Sequence, residues 1–137
     1  MSSLSRFSAS VENSILKRFD SQIKAQGYPT RSKAISDLIR SSLVGHEWKS
    51  SGEVVAAIIL VYDHHRSGLA GRLTSIQHDY YDLIISSQHV HLDHDNCLEI
   101  VVVRGKARSV EMLSNKLKAT KGVKYASLAA ASTGRDI

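Results

Sequence analysis

Cysteine and proline each occur once in these 137 residues, as Cys97 and Pro29. A single cysteine cannot close an internal disulfide, so a disulfide-stapled scaffold is excluded and a reducing compartment is expected. No apolar run approaches the roughly 20 residues of a membrane-spanning helix. The amino terminus is polar and has no signal-peptide core, which predicts a cytoplasmic location. No internal repeat, low-complexity tract or glycine-rich phosphate loop is visible. Nor is there a Ser/His/Asp or paired-carboxylate arrangement, so catalysis is not expected.

Composition, with 42% hydrophobic and 23% charged residues, is that of an ordinary globular chain. The length allows one domain or two very small ones. Net charge is +5 and unevenly spread. Residues 1–50 hold eight Lys/Arg against four acids, whereas residues 51–137 hold ten against nine. Positive charge gathered in the smaller part fits the footprint of a nucleic-acid-binding module and, on charge alone, equally an ordinary solvated basic surface.

Over residues 4–11 the side chains alternate, with Phe7, Ala9 and Val11 on one side and Arg6, Ser8 and Ser10 on the other. This pattern predicts a short half-buried strand. Ile15, Leu16, Phe19 and Ile23 then recur at helical spacing until Gly27. After the break at Tyr28-Pro29-Thr30, with Thr30 as N-cap, a second helix starts at Arg31; its apolar stripe is Ala34, Ile35, Leu38, Ile39 and Leu43. Residues 45–52 read as a linker by composition, which divides the chain into 1–45, a linker at 46–52, and 53–137.

Strand–helix–helix in fewer than fifty residues is too little chain to close a core, and its one strand has no partner. Two copies can intertwine, pairing their strands into a ribbon above four helices. That arrangement resembles the ribbon-helix-helix dimers, which insert a β-ribbon into the DNA major groove. The outward side chains Arg6, Ser8 and Ser10 would then face base edges. Thr30, Arg31 and Ser32 open the second helix, whose free N–H groups can hold a backbone phosphate. The remainder reads as strand 54–62, helix 68–77, strands 83–92 and 97–104, helix 110–121 and strand 123–131. This βαββαβ order predicts a ferredoxin-like α+β sandwich.

That second part carries the chain's most informative feature. His89 and His91 alternate with Val90 and so share one face of a strand. Cys97 follows the turn formers Asp93-His94-Asp95-Asn96 and can face back toward the pair. His78 ends the preceding helix, where its ligand atom could serve a neighbouring subunit. Imidazole with thiolate suits Zn, Cu or Ni, and a planar nitrogen-rich geometry points to Cu(II) or Ni(II).

A basic strand–helix–helix module joined to a βαββαβ domain with this His/Cys set resembles the nickel-responsive transcriptional regulators of the NikR family. The resemblance spans essentially the whole chain. It is most specific from Gln77-His78 through His89-Val90-His91 to Cys97-Leu98-Glu99-Ile100; Arg6-x-Ser8-x-Ser10 and Gly27-Tyr28-x-x-Arg31-Ser32 support it. It implies an ACT-type regulatory domain and one planar Ni(II) per subunit, held by His89, His91 and Cys97 of one subunit and His78 of a neighbour. It further implies a homotetramer, with a DNA-reading dimer at each end, that represses nickel-uptake genes when nickel is bound. Tyr62 and Glu99 would orient a ligand imidazole, and Arg66 would touch phosphate. Lys33 stands where some members carry an acidic residue that holds a second cation together with the position of Asp37. His46, His64, His65 and His94 read as surface residues or as support for the ligands. The alternative function is a metal-storage or metal-delivery protein, or a regulator responding to another transition metal.

Overall fold

The structure, a computed structural model, describes residues 3–49, 52–135 and 137. It divides into two compact units, residues 1–41 and 42–137. In the first, residues 3–12 enter no ladder, and Leu4, Phe7 and Val11 are exposed. The strand expected at 4–11 therefore does not form within one chain. A strand needs a neighbour, and this unit offers none.

Two helices follow, α1 (Asn13–Ala25) and α2 (Arg31–Lys49). They are joined through Gly27, whose φ of 82° lies in the left-handed region that glycine enters at little cost. Thr30 caps α2 as the sequence predicts, its Oγ1 accepting the Lys33 N–H at 3.2 Å. Arg31 makes a bidentate pair with Asp20 of α1 (2.8 and 2.6 Å). Asp37 accepts from the Tyr28 hydroxyl at 2.9 Å and from Lys33 Nζ at 2.8 Å. Those bonds hold the Asp37 carboxyl below the usual carboxylate range, Lys33 contributing most. The Lys33 ammonium thus sits on the carboxylate that the resemblance pairs with a second cation. The helical stripe is not covered within the chain: Ile15, Leu38 and Ile39 remain about half exposed.

Composition misleads at residues 46–49. α2 continues through Gly45 to Lys49, so the linker expected at 46–52 is helical in its first part; Ser50 and Ser51 lie outside the described residues. The reason is Trp48, which packs against the core of the second unit and donates its indole N–H to the Ala131 carbonyl at 3.0 Å. Even partial burial of so large a ring offsets the ~1 kcal/mol that a glycine costs a helix.

The second unit runs β1 (Glu53–Asp63), α3 (Leu69–Asp79), β2 (Ile84–His91), β3 (Asn96–Lys106), α4 (Ala107–Ala119) and β4 (Val123–Ala131), the expected βαββαβ order. α4 starts three residues earlier than its periodicity indicates, because β3 passes straight into it with Lys106 as cap. The four strands form one antiparallel sheet in the order β2-β3-β1-β4. Alternation along β1 buries Val54, Ala56, Ile58, Leu60 and Tyr62 beneath the helices, and register places Cys97, Glu99, Val101 and Val103 of β3 on the same face. Leu69 and Leu73 of α3 and Val110, Leu113 and Leu117 of α4 complete the core. Each such large apolar side chain contributes about 1.5–3 kcal/mol by leaving water. Among the described residues no helix is long and apolar enough to cross a membrane.

Candidate metal centre

β2 is an edge strand, and its pairing with β3 decides which side chains meet. The register sets His91 opposite Cys97 and His89 opposite Glu99, so all four project from the helix-facing side. Cys97 and Glu99 are buried, while His89 and His91 are exposed at the edge. His89 Nδ1 lies 3.5 Å from Cys97 Sγ, and His89 Nε2 lies 2.8 Å from Glu99 Oε1. The carboxylate accepts the Nε2 proton. This fixes the tautomer and turns the Nδ1 lone pair toward the thiol, the usual way an outer carboxylate prepares a ligand imidazole.

Glu99 is itself held in place. The Tyr62 hydroxyl donates to its Oε2 at 3.4 Å and Gln77 Nε2 donates to its Oε1 at 3.4 Å. The Tyr62 ring meets His89 edge-on, with centroids 6.5 Å apart. Burial first, and then the Glu99 charge and the Cys97 thiol, push the Tyr62 phenol well above its ordinary value. The hydroxyl thus holds the proton it donates to Glu99 more firmly than an ordinary phenol does. Tyr62 and Glu99 are the residues the sequence reading names as supports, and Gln77, whose only signal was its place beside His78, touches the same carboxylate.

The other expected ligands do not close a site within one chain. His78 is exposed in the last turn of α3, its ring against Tyr81 with centroids 6.3 Å apart. The His91 ring leans on His64 at 5.2 Å. Among the described residues, the group that does bring three ligand atoms within 4.8 Å of one another is a different one: His65, His94 and Asp95. The sequence reading left His65 and His94 as surface residues or support for the ligands and Asp95 as a turn former, because two loops some thirty positions apart carry them.

A family model described as the NikR C-terminal nickel-binding domain matches residues 55–131, which contain all of this geometry. Relatives match nearly end to end. A protein of Syntrophus aciditrophicus named "Putative nickel-responsive regulator" is 50% identical over 98% of both chains. One of the same name from Chlorobaculum tepidum is 51% identical over 96% of this chain and 98% of its own. This chain belongs to the NikR family. An uncharacterized protein from Thermotoga maritima shares the fold, with a TM-score of 0.52 at 14% identity over 57% of this chain and 96% of its own.

NikR proteins are nickel-responsive regulators, not enzymes, and their metal is nickel. The donor chemistry here fits that ion: a buried thiol, an imidazole nitrogen aimed at it and a second imidazole in register, all nitrogen and sulfur as a late first-row metal prefers. Of the residues assigned to DNA by the resemblance, all but Arg66 lie in the first unit. Arg6, Ser8 and Ser10 are exposed along the extended segment, and Thr30, Arg31 and Ser32 are exposed at the start of α2, with Arg31 engaged by Asp20. Arg66 is exposed in the β1–α3 loop, and its stem lies across Gly122.

Proposed function

We propose that this NikR-family chain is a nickel-dependent, DNA-binding transcriptional repressor of nickel-uptake genes, acting in the cytoplasm as a homotetramer. Residues 1–45 form the DNA-binding part, joined by 46–52 to the metal-binding and tetramerising part, 53–137. His89, His91 and Cys97 of one subunit and His78 of a neighbour hold one Ni(II) per subunit. The observation that carries this reading is the His89 imidazole, fixed by buried Glu99 with Nδ1 turned to Cys97. Carboxylate, imidazole and thiol in one line also make the Cys–His–acid arrangement of nucleophilic enzymes; the match of residues 55–131 to a nickel-binding domain supports reading the line as part of a ligand set.

Assembly is supported from two sides. β2 is an unpaired edge, and an open edge beside exposed His89 and His91 is where a second copy can bring His78. In the first unit, the unpaired segment 3–12 and the half-exposed stripe Ile15, Leu38 and Ile39 call for an identical partner. Pairing two such segments as an antiparallel ribbon leaves Arg6, Ser8 and Ser10 outward, where they read bases, while Thr30, Arg31, Ser32 and Arg66 meet phosphates.

The decisive experiment is a gel-shift titration on the DNA upstream of nickel-uptake genes, with and without Ni(II). Nickel should create or tighten a specific complex, and Arg6→Ala should weaken it by roughly 1–3 kcal/mol while leaving random DNA nearly unaffected. A protein that binds nickel normally but shows no nickel-dependent DNA preference would instead be a storage or delivery protein.

A further inference from the structure

We infer that Trp48 is the joint through which bound nickel acts on DNA binding: its indole fixes the end of α2 to the metal-binding unit, while the start of the same helix belongs to the DNA-binding part. The inference rests on the proposed function and names the residue that links its two halves. α2 begins at Arg31 in the first unit and ends at Lys49 in the second, with no break where the units divide between Ser41 and Ser42.

The helix carries two different faces. Its stripe Ala34, Ile35, Leu38, Ile39 and Leu43 is centred on one side. At 3.6 residues per turn, the half-buried Val44, Glu47 and Trp48 are centred on the opposite side. Gly45 falls among them, so helical propensity does not favour the last turn. Docking does: the indole N–H donates to the Ala131 carbonyl at 3.0 Å, and the ring packs against the core of the second unit. Gly52, where the chain enters β1, is pinned as well. Its N–H donates to the Glu47 carbonyl at 3.3 Å, and its carbonyl accepts the Ala107 N–H at 3.1 Å. The end of α2 thus has two discrete arrangements, docked and frayed, as a coupling element requires.

The docking point is tied to the metal centre. Ala131 pairs with Val55 of β1, and the same strand carries Tyr62, whose hydroxyl donates to Glu99 beside His89. From Val55 to Tyr62 the strand runs roughly 23 Å at ~3.3 Å per residue. β1 is hydrogen-bonded on both sides, by β3 and β4, and such central strands are the last parts of a fold to yield. A change at His89 therefore has a stiff path to Trp48, and from Trp48 into α2.

The test measures operator affinity with and without Ni(II) for wild type, Trp48→Ala, Trp48→Phe and Gly45→Pro, all as full chains. The probe is labelled DNA from upstream of nickel-uptake genes, read by fluorescence anisotropy. The thiolate-to-nickel absorption band of Cys97 should persist in every variant, which shows that each has folded and binds metal. In wild type nickel should tighten binding roughly 5–150-fold. Trp48→Ala should bring that ratio toward one, and Trp48→Phe, which keeps a ring but not the N–H, should retain part of it. Proline at position 45 interrupts the helix where an added side chain meets nothing within 4 Å. It should also uncouple, although acrylamide quenching of the chain's single tryptophan should show the ring still docked. A wild-type ratio in Trp48→Ala, even with weaker binding overall, would make Trp48 merely structural and overturn the inference. So would full coupling in Gly45→Pro. No nickel effect in wild type would instead strike the proposed function, so the two failures are told apart.

Discussion

Glu99 places a carboxylate inside the protein, where an unpaired charge would cost several kcal/mol. Its three donors, His89 Nε2, the Tyr62 hydroxyl and Gln77 Nε2, explain why it is tolerated. That network makes the His89 tautomer a property of the fold. Glu99→Ala should therefore weaken nickel binding by about 10–100-fold, with Glu99→Gln less damaging because the amide oxygen still accepts the Nε2 proton. Competition against a chromophoric chelator measures both, and wild-type affinity in Glu99→Ala would remove the carboxylate from any role at the metal. Tyr62 gives a second test at this scale. Its folded pKa is raised, so above the ordinary phenol value of 10.0 the folded state keeps a proton that the unfolded state releases. The stability that Tyr62 contributes is thus complete below pH 10 and falls as pH rises above it. Denaturant midpoints between pH 9 and 11 should decline in wild type and decline less in Tyr62→Phe.

Among the elements, periodicity is informative wherever burial is decided inside one chain. Strict alternation in β1 and β3, and the spacing of Leu69 and Leu73 or of Val110, Leu113 and Leu117, made the βαββαβ order and most strand limits legible, because the covering layer comes from the same unit. His89, His91, Cys97 and Glu99 were legible for the same reason: register follows from alternation. Where the partner surface belongs to no element of the chain, the pattern is as clear but the element does not form, as in residues 3–12. Composition failed at 46–49, since Trp48 finds its contacts more than eighty residues away. The His65–His94–Asp95 group was hidden because loops carry no period that would bring two of them together. Gly122, at the α4–β4 junction, depends on its neighbours in a way that can be measured. Its φ is +105°, and an added Cβ would stand 2.9 Å from Arg66 Cδ and 3.0 Å from Leu69 Cδ2. Gly122→Ala should destabilise the chain by more than ~1 kcal/mol in denaturant unfolding, through backbone strain and through displacement of the buried end of α3.

For the whole molecule, the proposed function raises the question of how an ion bound within residues 42–137 would change affinity for DNA read by residues 1–41. In the proposed function the nickel ligands and Arg6 belong to different units, and the effect of nickel on operator affinity is a coupling free energy, typically about 1–3 kcal/mol. His78 is the natural carrier. It projects from the last turn of α3, whose first turns are anchored by fully buried Leu69 and Leu73, and it is exposed. A planar ion that recruits His78 across a subunit boundary fixes α3 of one subunit against β2 of the next, and with it the orientation in which paired DNA-binding parts are presented. Zinc supplies the control, because it takes tetrahedral geometry with the same side chains and would set His78 at a different angle. At saturating metal, Ni(II) should tighten operator binding about 5–150-fold, Zn(II) distinctly less, and His78→Ala should abolish the difference between them. Operator affinities measured by fluorescence anisotropy at matched ionic strength decide the matter. Equal activation by the two ions, or full nickel activation without His78, would leave added positive charge rather than geometry as the cause.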